Sequence, residues 1–193
     1  MKYIWISAMV LVIAACAATS PPKKVGKDAP PQFLSLSPAS LGRSLLLSQL
    51  VTGEHDGQIY KIRYELDITP DRFAIVGLSL LGVTLFSIVQ ENGKLTMEKH
   101  IKRQGGFDLR YTLFDLYLTY WPRDVLRAAL SRIRMQFYEA PDGSVRRVLD
   151  MEGEMIAEIT YPSEHSRKHE IVIQHFNIPY RLRVETLARD GAP

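Results

Sequence analysis

The chain is poor in the residues that carry most chemistry. Of its 193 residues only one is a cysteine, Cys16, and it lies near the N-terminus. One thiol excludes an internal disulfide, a redox pair and a multi-thiolate metal site, so a folded domain here must hold by packing alone. Charge of either sign is also scarce in excess. Lys and Arg total 24 against 21 Asp and Glu, a net +3 that becomes +2 if Lys2 leaves with a processed N-terminus. So small an imbalance does not suggest nucleic acid as a partner. There is no glycine-rich phosphate loop ahead of a helix, and no apolar run long enough to span a bilayer. The longest, 4–15, would reach ~18 Å as a helix, against a hydrocarbon core of about 30 Å. Internal βαβ alternation is missing as well, which disfavours a parallel sheet.

What is present begins with that short apolar run. Met1-Lys2, twelve mostly apolar residues and small residues ahead of a cut form a signal-peptide pattern. Ile13-Ala14-Ala15-Cys16 resembles a bacterial lipobox, an aliphatic residue and two small ones before a cysteine. That resemblance implies cleavage before Cys16 and acylation of it. Several acyl chains, at about 0.8 kcal/mol per buried methylene, would anchor the chain for good. An ordinary secretory cut near Ala18, discarding Cys16, is the alternative. Neither Ala17 nor Ala18 is acidic, which resembles lipoproteins sorted to the outer membrane. Residues 16–32 then read as the lipidated cysteine and a disordered linker. Pro21, Pro22, Pro30 and Pro31 surround Lys23, Lys24 and Lys27 with almost nothing apolar to bury.

Residues 33–193 read as a single domain of mainly β structure. Tyr60, Ile62, Tyr64, Leu66 and Ile68 alternate with Lys61, Arg63, Glu65 and Asp67, the period of a half-buried antiparallel strand. Residues 73–79, 82–90 and 95–101 read as further strands, with Glu91-Asn92-Gly93 as a hairpin turn. Residues 108–120 are apolar nearly all round and read as a helix. Pro122 suits the first turn of a second helix, striped by Val125, Leu126, Ala129 and Leu130. Five more strands follow, at 133–139, 145–152, 155–161, 169–176 and 180–187. The expectation is a curved antiparallel sheet or half-open β-barrel of about ten strands, covered by two or three helices. Such a sheet can enclose a lipid-sized cavity or be filled by its own side chains.

Catalytic motifs do not assemble. Gly77-Leu78-Ser79-Leu80-Leu81-Gly82 grazes a nucleophile elbow, but Leu81 occupies the second glycine position and the segment joins two strands. His165 and His169 lack a helical face and a carboxylate partner. His55, His100 and His175 are scattered, so all five histidines read as surface or packing residues. Lys99, His100, Lys102, Arg103, Arg146 and Arg147 read as outer strand faces or turns. The expectation is therefore a non-catalytic protein with no metal and no cofactor.

One feature stands out. Leu80 and Leu81 lie between two strands, where a loop normally carries wet residues. At a tip they would present apolar surface to a partner, a lipid or a membrane. If the strands run on, both are core instead.

The strand–Leu-Gly–strand segment and the architecture resemble the LolA/LolB group of lipoprotein carriers. There a half-open barrel under helices holds acyl chains, and the receptor's exposed leucine helps deliver cargo. Residues 75–85 (Ile-Val-Gly-Leu-Ser-Leu-Leu-Gly-Val-Thr-Leu), 113–122 (Leu-Phe-Asp-Leu-Tyr-Leu-Thr-Tyr-Trp-Pro) and Tyr180-Arg181-Leu182 more closely resemble an uncharacterised lipoprotein family found in aryl-polyene gene clusters. The resemblance covers most of 45–187. It implies a LolB-like domain on the periplasmic face of the outer membrane that binds or transfers lipid or lipoprotein cargo. Cys16 would be the attachment point and Leu80 and Leu81 the membrane or cargo loop, with Phe114, Leu118 and Trp121 at the cavity or its lid. A LolA-like periplasmic carrier and the bilayer itself are the implied partners. The rival is an envelope assembly protein with a filled core and no lipid ligand.

Overall fold

A computed structural model describes residues 34–55, 57–101, 108–163, 169–178 and 180–190. After a short 3-10 turn at Pro38–Leu41 come five strands: β1 Leu45–His55, β2 Gln58–Ile68, β3 Arg72–Leu78, β4 Thr84–Glu91 and β5 Lys94–Lys99. Two helices follow, α1 Leu109–Tyr120 and α2 Arg123–Arg132. Five more strands complete the fold: β6 Gln136–Glu139, β7 Val145–Leu149, β8 Met155–Thr160, β9 Glu170–His175 and β10 Tyr180–Asp190.

All ten strands form one sheet in the order β5-β4-β3-β2-β1-β10-β9-β8-β7-β6. Every pairing is antiparallel. Each half is a meander of sequential hairpins, and β10 closes on β1 to join them (His55 opposite Tyr180, Leu46 opposite Asp190). The outer strands β5 and β6 do not pair with each other, so the sheet is open rather than a closed barrel.

The local causes are visible in the residues. In β2 the side chains of Tyr64, Leu66 and Ile68 are buried while Arg63, Glu65 and Asp67 face outward, as period two requires. Asn92 (φ 51°) and Gly93 (φ 73°) supply the two left-handed residues that a tight β4–β5 hairpin needs. Asp108 caps α1, its Oδ1 accepting from the Arg110 backbone N–H at 2.9 Å. Ten of the twelve residues of α1 are buried, as expected of a helix apolar on every side. α2 buries only Leu126, Ala129 and Leu130, with Asp124 in its first turn and Arg132 in its last, the favourable ends of the helix dipole.

A helix cannot bury ten of twelve residues against a flat sheet, so the sheet wraps it. The polar contacts of α1 show the same. They reach Gln49 on β1, Gln90 on β4, Arg146 on β7, His175 on β9 and Tyr180 on β10. At the base of the helix Trp121 is fully buried, 4.7 Å edge-on from Tyr117 and 6.5 Å from Phe73, and its indole N–H donates to Ser40 Oγ.

Gly77 marks a close approach. It pairs with Tyr64 on one side and Phe86 on the other. Those two rings meet edge-on at 5.5 Å, and a Cβ at Gly77 would strike the Phe86 ring. Gly77→Val should therefore cost about 1–3 kcal/mol in urea unfolding, the usual range for overpacking. An unchanged midpoint would show that the ring yields freely.

Candidate functional site

Two features qualify as sites, one outside the sheet and one inside it. The outer one is the β3–β4 connection. Its polar groups are used within the loop: the Ser79 N–H donates to the Val83 carbonyl at 2.8 Å, and the Gly82 N–H to the Ser79 carbonyl at 2.9 Å. The Val83 N–H donates to Ser79 Oγ at 3.1 Å. Gly82 takes the left-handed φ of 81° that completes the turn, a conformation a side chain would strain. With the backbone closed on itself, the two leucines point outward. Leu80 is 65% exposed and Leu81 93%, and Val83 beside them is also exposed. Scattered apolar residues on a surface are ordinary, but three together on a hydrogen-bonded loop form a patch.

The inner feature is a polar cluster on α1. Asp115, the one acid of α1, is buried. One of its oxygens lies 2.6 Å from His175 Nε2, and the other accepts from the Tyr180 hydroxyl at 2.7 Å. The His175 ring stacks on Tyr180 with centroids 4.3 Å apart, and Tyr111 meets both rings edge-on. Burial, then the adjacent carboxylate, pushes the Tyr180 phenol well above its usual range, so it stays a proton donor. The cluster fastens the middle of α1 to β9 and β10. It contains a carboxylate, an imidazole and a phenol, all engaged with one another. The other imidazole nitrogen, Nδ1, meets no hydrogen-bond partner among the described residues.

A second fastening holds the end of the helix. Arg146 donates to the carbonyls of Leu118 at 2.8 Å and Trp121 at 3.0 Å, and Tyr161 donates to that of Thr119 at 2.7 Å. These satisfy carbonyls that a helix end leaves open. Arg146 is itself held by Glu139 at 2.6 Å. Thus Arg146 does not lie on an outer strand face as its sequence context suggests. It turns inward because the buried helix end needs a donor, while Arg147 remains outside, paired with Glu158.

Between helix and sheet lies a cavity of about 30 Å³, with Gln49, Tyr64, Thr112, Asp115, Thr119 and Tyr120 among its walls. Sites of that size hold about two waters, whereas small-molecule pockets run to about 300–1,000 Å³. The interior is filled by α1. Phe114, Leu118 and Trp121, expected at a cavity or its lid, are buried in the packed core and do not border this space. Cys16, the signal and the linker lie outside the described residues, as do Lys102, Arg103 and His165. No cluster of three or more potential metal ligands occurs among the described residues. No described helix is long and apolar enough to cross a membrane.

Neither His175 nor Asp115 stands out in sequence as a partner of the other, since 60 residues separate them. The available signal was Asp115 itself, a lone acid in a helix with no wet face.

A family model described as a protein of unknown function, DUF3261, matches residues 46–188. No curated protein matches the chain by sequence. Among solved structures the chain is similar to a LolA superfamily protein from Nitrosomonas europaea, at 9% identity and TM-score 0.45, covering 81% of this chain and 93% of that one. It is also similar to a domain from Vibrio parahaemolyticus named for outer membrane lipoprotein sorting, at 8% identity and TM-score 0.46, covering 78% and 87%.

Asp115→Ala strands the His175 ring and the Tyr180 hydroxyl and should cost about 1–3 kcal/mol in urea unfolding for each buried polar group left unsatisfied; Asp115→Asn, which keeps an acceptor, should cost less. Burial pushes the Tyr117 phenol up to about 12, and Tyr64 and Tyr161 are raised by the same cause. A group whose folded pKa lies above its unfolded value stabilises fully below the unfolded value, here about 10. Stability should thus hold up to that pH and fall steeply as pH rises toward 12. In an alkaline titration, phenolate absorbance should rise together with unfolding. Early ionisation of most tyrosines in a still-folded protein would contradict their burial.

Proposed function

The chain belongs to the DUF3261 family of proteins of unknown function, and from that footing we propose that it is a non-catalytic envelope lipoprotein that engages acyl chains through the Leu80–Leu81 loop. Cys16 anchors it, and the periplasmic face of the outer membrane is its place. The apolar partner is the bilayer or the acyl part of a cargo, a lipoprotein or a polyene lipid, passed on by a periplasmic carrier. The observation that carries this reading is Leu81, 93% exposed at the tip of a loop whose own hydrogen bonds hold it outward. An exposed leucine gains about 1.5–3 kcal/mol on full burial. A fixed loop loses little further entropy on docking, so most of that gain is realised.

The filled interior supports a second reading in part. The cavity under α1 has room for about two waters, which supports placing the acyl contact outside it. The contact belongs to the surface. An assembly factor that docks another envelope protein on the same loop shares that geometry, and lipid binding separates the two.

Flotation of the non-acylated chain (residues 16–193 with Cys16→Ala) with vesicles of phosphatidylethanolamine and phosphatidylglycerol tests the reading. The Leu80→Glu/Leu81→Glu variant should bind about tenfold more weakly or worse, since each leucine is worth more than 1 kcal/mol. Its unfolding free energy should stay within about 0.5 kcal/mol of the parent, as for other exposed positions. Undiminished vesicle binding would remove the loop from the mechanism.

A further inference from the structure

The leucine loop is one part of a longer apolar rim. The register places the end of β1, the end of β3, the end of β7 and the end of β9 at the same end of the sheet. His55 is opposite both Gln58 and Tyr180, Arg63 opposite Leu78, Gln174 opposite Arg181, and Leu149 opposite Met155. Six large apolar side chains more than half exposed lie at this end: Ile59, Leu80, Leu81, Val83, Met151 and Phe176. Among the described residues only Leu187, at the other end, matches their exposure. They come from four separate hairpins, spread along the edge of a wrapped sheet. A contact that reaches all of them must be broad, which a bilayer surface is and a peptide-width groove is not.

The chain joins the domain at the opposite end. The Leu36 carbonyl accepts from the Tyr117 hydroxyl, and Ser40 Oγ from Trp121, both at the C-terminal end of α1 and beside the start of β1. A tether from Cys16 therefore begins on the side away from the rim. The eleven residues of β1 span about 36 Å at ~3.3 Å each. The eighteen steps from Cys16 to Leu34 can reach at most about 60 Å at ~3.4 Å each. The tether is longer than the domain is tall.

Resting on the reading above, we propose that the whole rim, and not the leucine loop alone, sits on the same bilayer that holds Cys16, an inverted geometry in which the Leu34 end of the domain is turned away from the membrane. Holding both attachments on one membrane makes rim docking intramolecular, which raises its effective concentration without any new contact. Exposed charges of both signs flank the rim, Lys61 and Arg181 against Glu54, Glu152 and Glu154. The contact is thus apolar rather than selective for anionic head groups.

The lone cysteine makes the test direct, because acylation of Cys16 leaves each introduced thiol as the sole reactive one. The acylated full chain, in dilute vesicles of phosphatidylethanolamine and phosphatidylglycerol, carries an environment-sensitive fluorophore at Ile59→Cys, Leu81→Cys, Phe176→Cys or Leu187→Cys. Labels at 59, 81 and 176 should shift to the blue and be quenched severalfold more by a lipid-borne quencher than the label at 187. Removing residues 21–31 shortens the tether to about 24 Å, less than the domain height, and should return the three rim labels to water. A label at 81 in lipid with those at 59 and 176 in water would overturn the rim while leaving the leucine loop intact. All three in water would overturn both. Rim labels still buried on the shortened tether would overturn the inverted geometry.

Discussion

The burial of α1 inside the sheet is the constraint on which the other features depend. A twelve-residue helix with ten residues out of water demands protein on nearly every side. Ten antiparallel strands, joined across β1 and β10, supply it by wrapping. The helix in turn gives the sheet its core: Leu113, Phe114, Leu118 and Trp121 pack against Phe73, Ile75, Ile88, Val148 and Ile159 from both meanders. Burying a helix so completely also buries its polar groups. Asp115 is satisfied by His175 and Tyr180, and the last carbonyls by Arg146 and Tyr161. Each fastening reaches the second meander, so the helix holds the two halves together as well as filling them.

A few polar side chains (Gln49, Asp115, His175) are buried against α1 within an apolar core, and Leu80, Leu81 and Val83 are exposed on a turn. A lipid-sized site needs hundreds of cubic ångströms, and the cavity between α1 and the sheet, walled by Val51, Ile75, Leu116 and Ile173 as well as by Gln49 and Asp115, has about 30 Å³. The surface carries the apolar capacity instead. Leu80 and Leu81 are held outward because the Ser79, Gly82 and Val83 backbone is satisfied within the loop.

Much of this architecture is legible in the residues because it is local. Period two in β2, the positive φ of Asn92 and Gly93, and an all-apolar stretch followed by Trp121-Pro122 each follow from neighbours in sequence. Strand counts and helix positions follow with them. What is not legible is long-range. The pairing of Asp115 with residues 60 and 65 positions away depends on how the two meanders meet. Arg146 looks like any strand cation until a helix end is found opposite it. Whether a wrapped sheet is hollow depends on how deep the helix sits, and the apolar pattern of 108–120 is the same either way. The leucine loop could be noticed but not placed, since a leucine at a tip and a leucine in a continuing strand read alike.

Because α1 occupies the middle of the fold, the acyl chains that we propose as partners are to be met at the surface and not enclosed. Native mass spectrometry of the full chain, released gently from membranes, tests it most directly. The expected mass is that of the polypeptide with whatever is covalently attached, with no further lipid retained at one-to-one stoichiometry. A stoichiometric non-covalent lipid that survives replacement of Leu80 and Leu81 by glutamate would place cargo inside the sheet and contradict it.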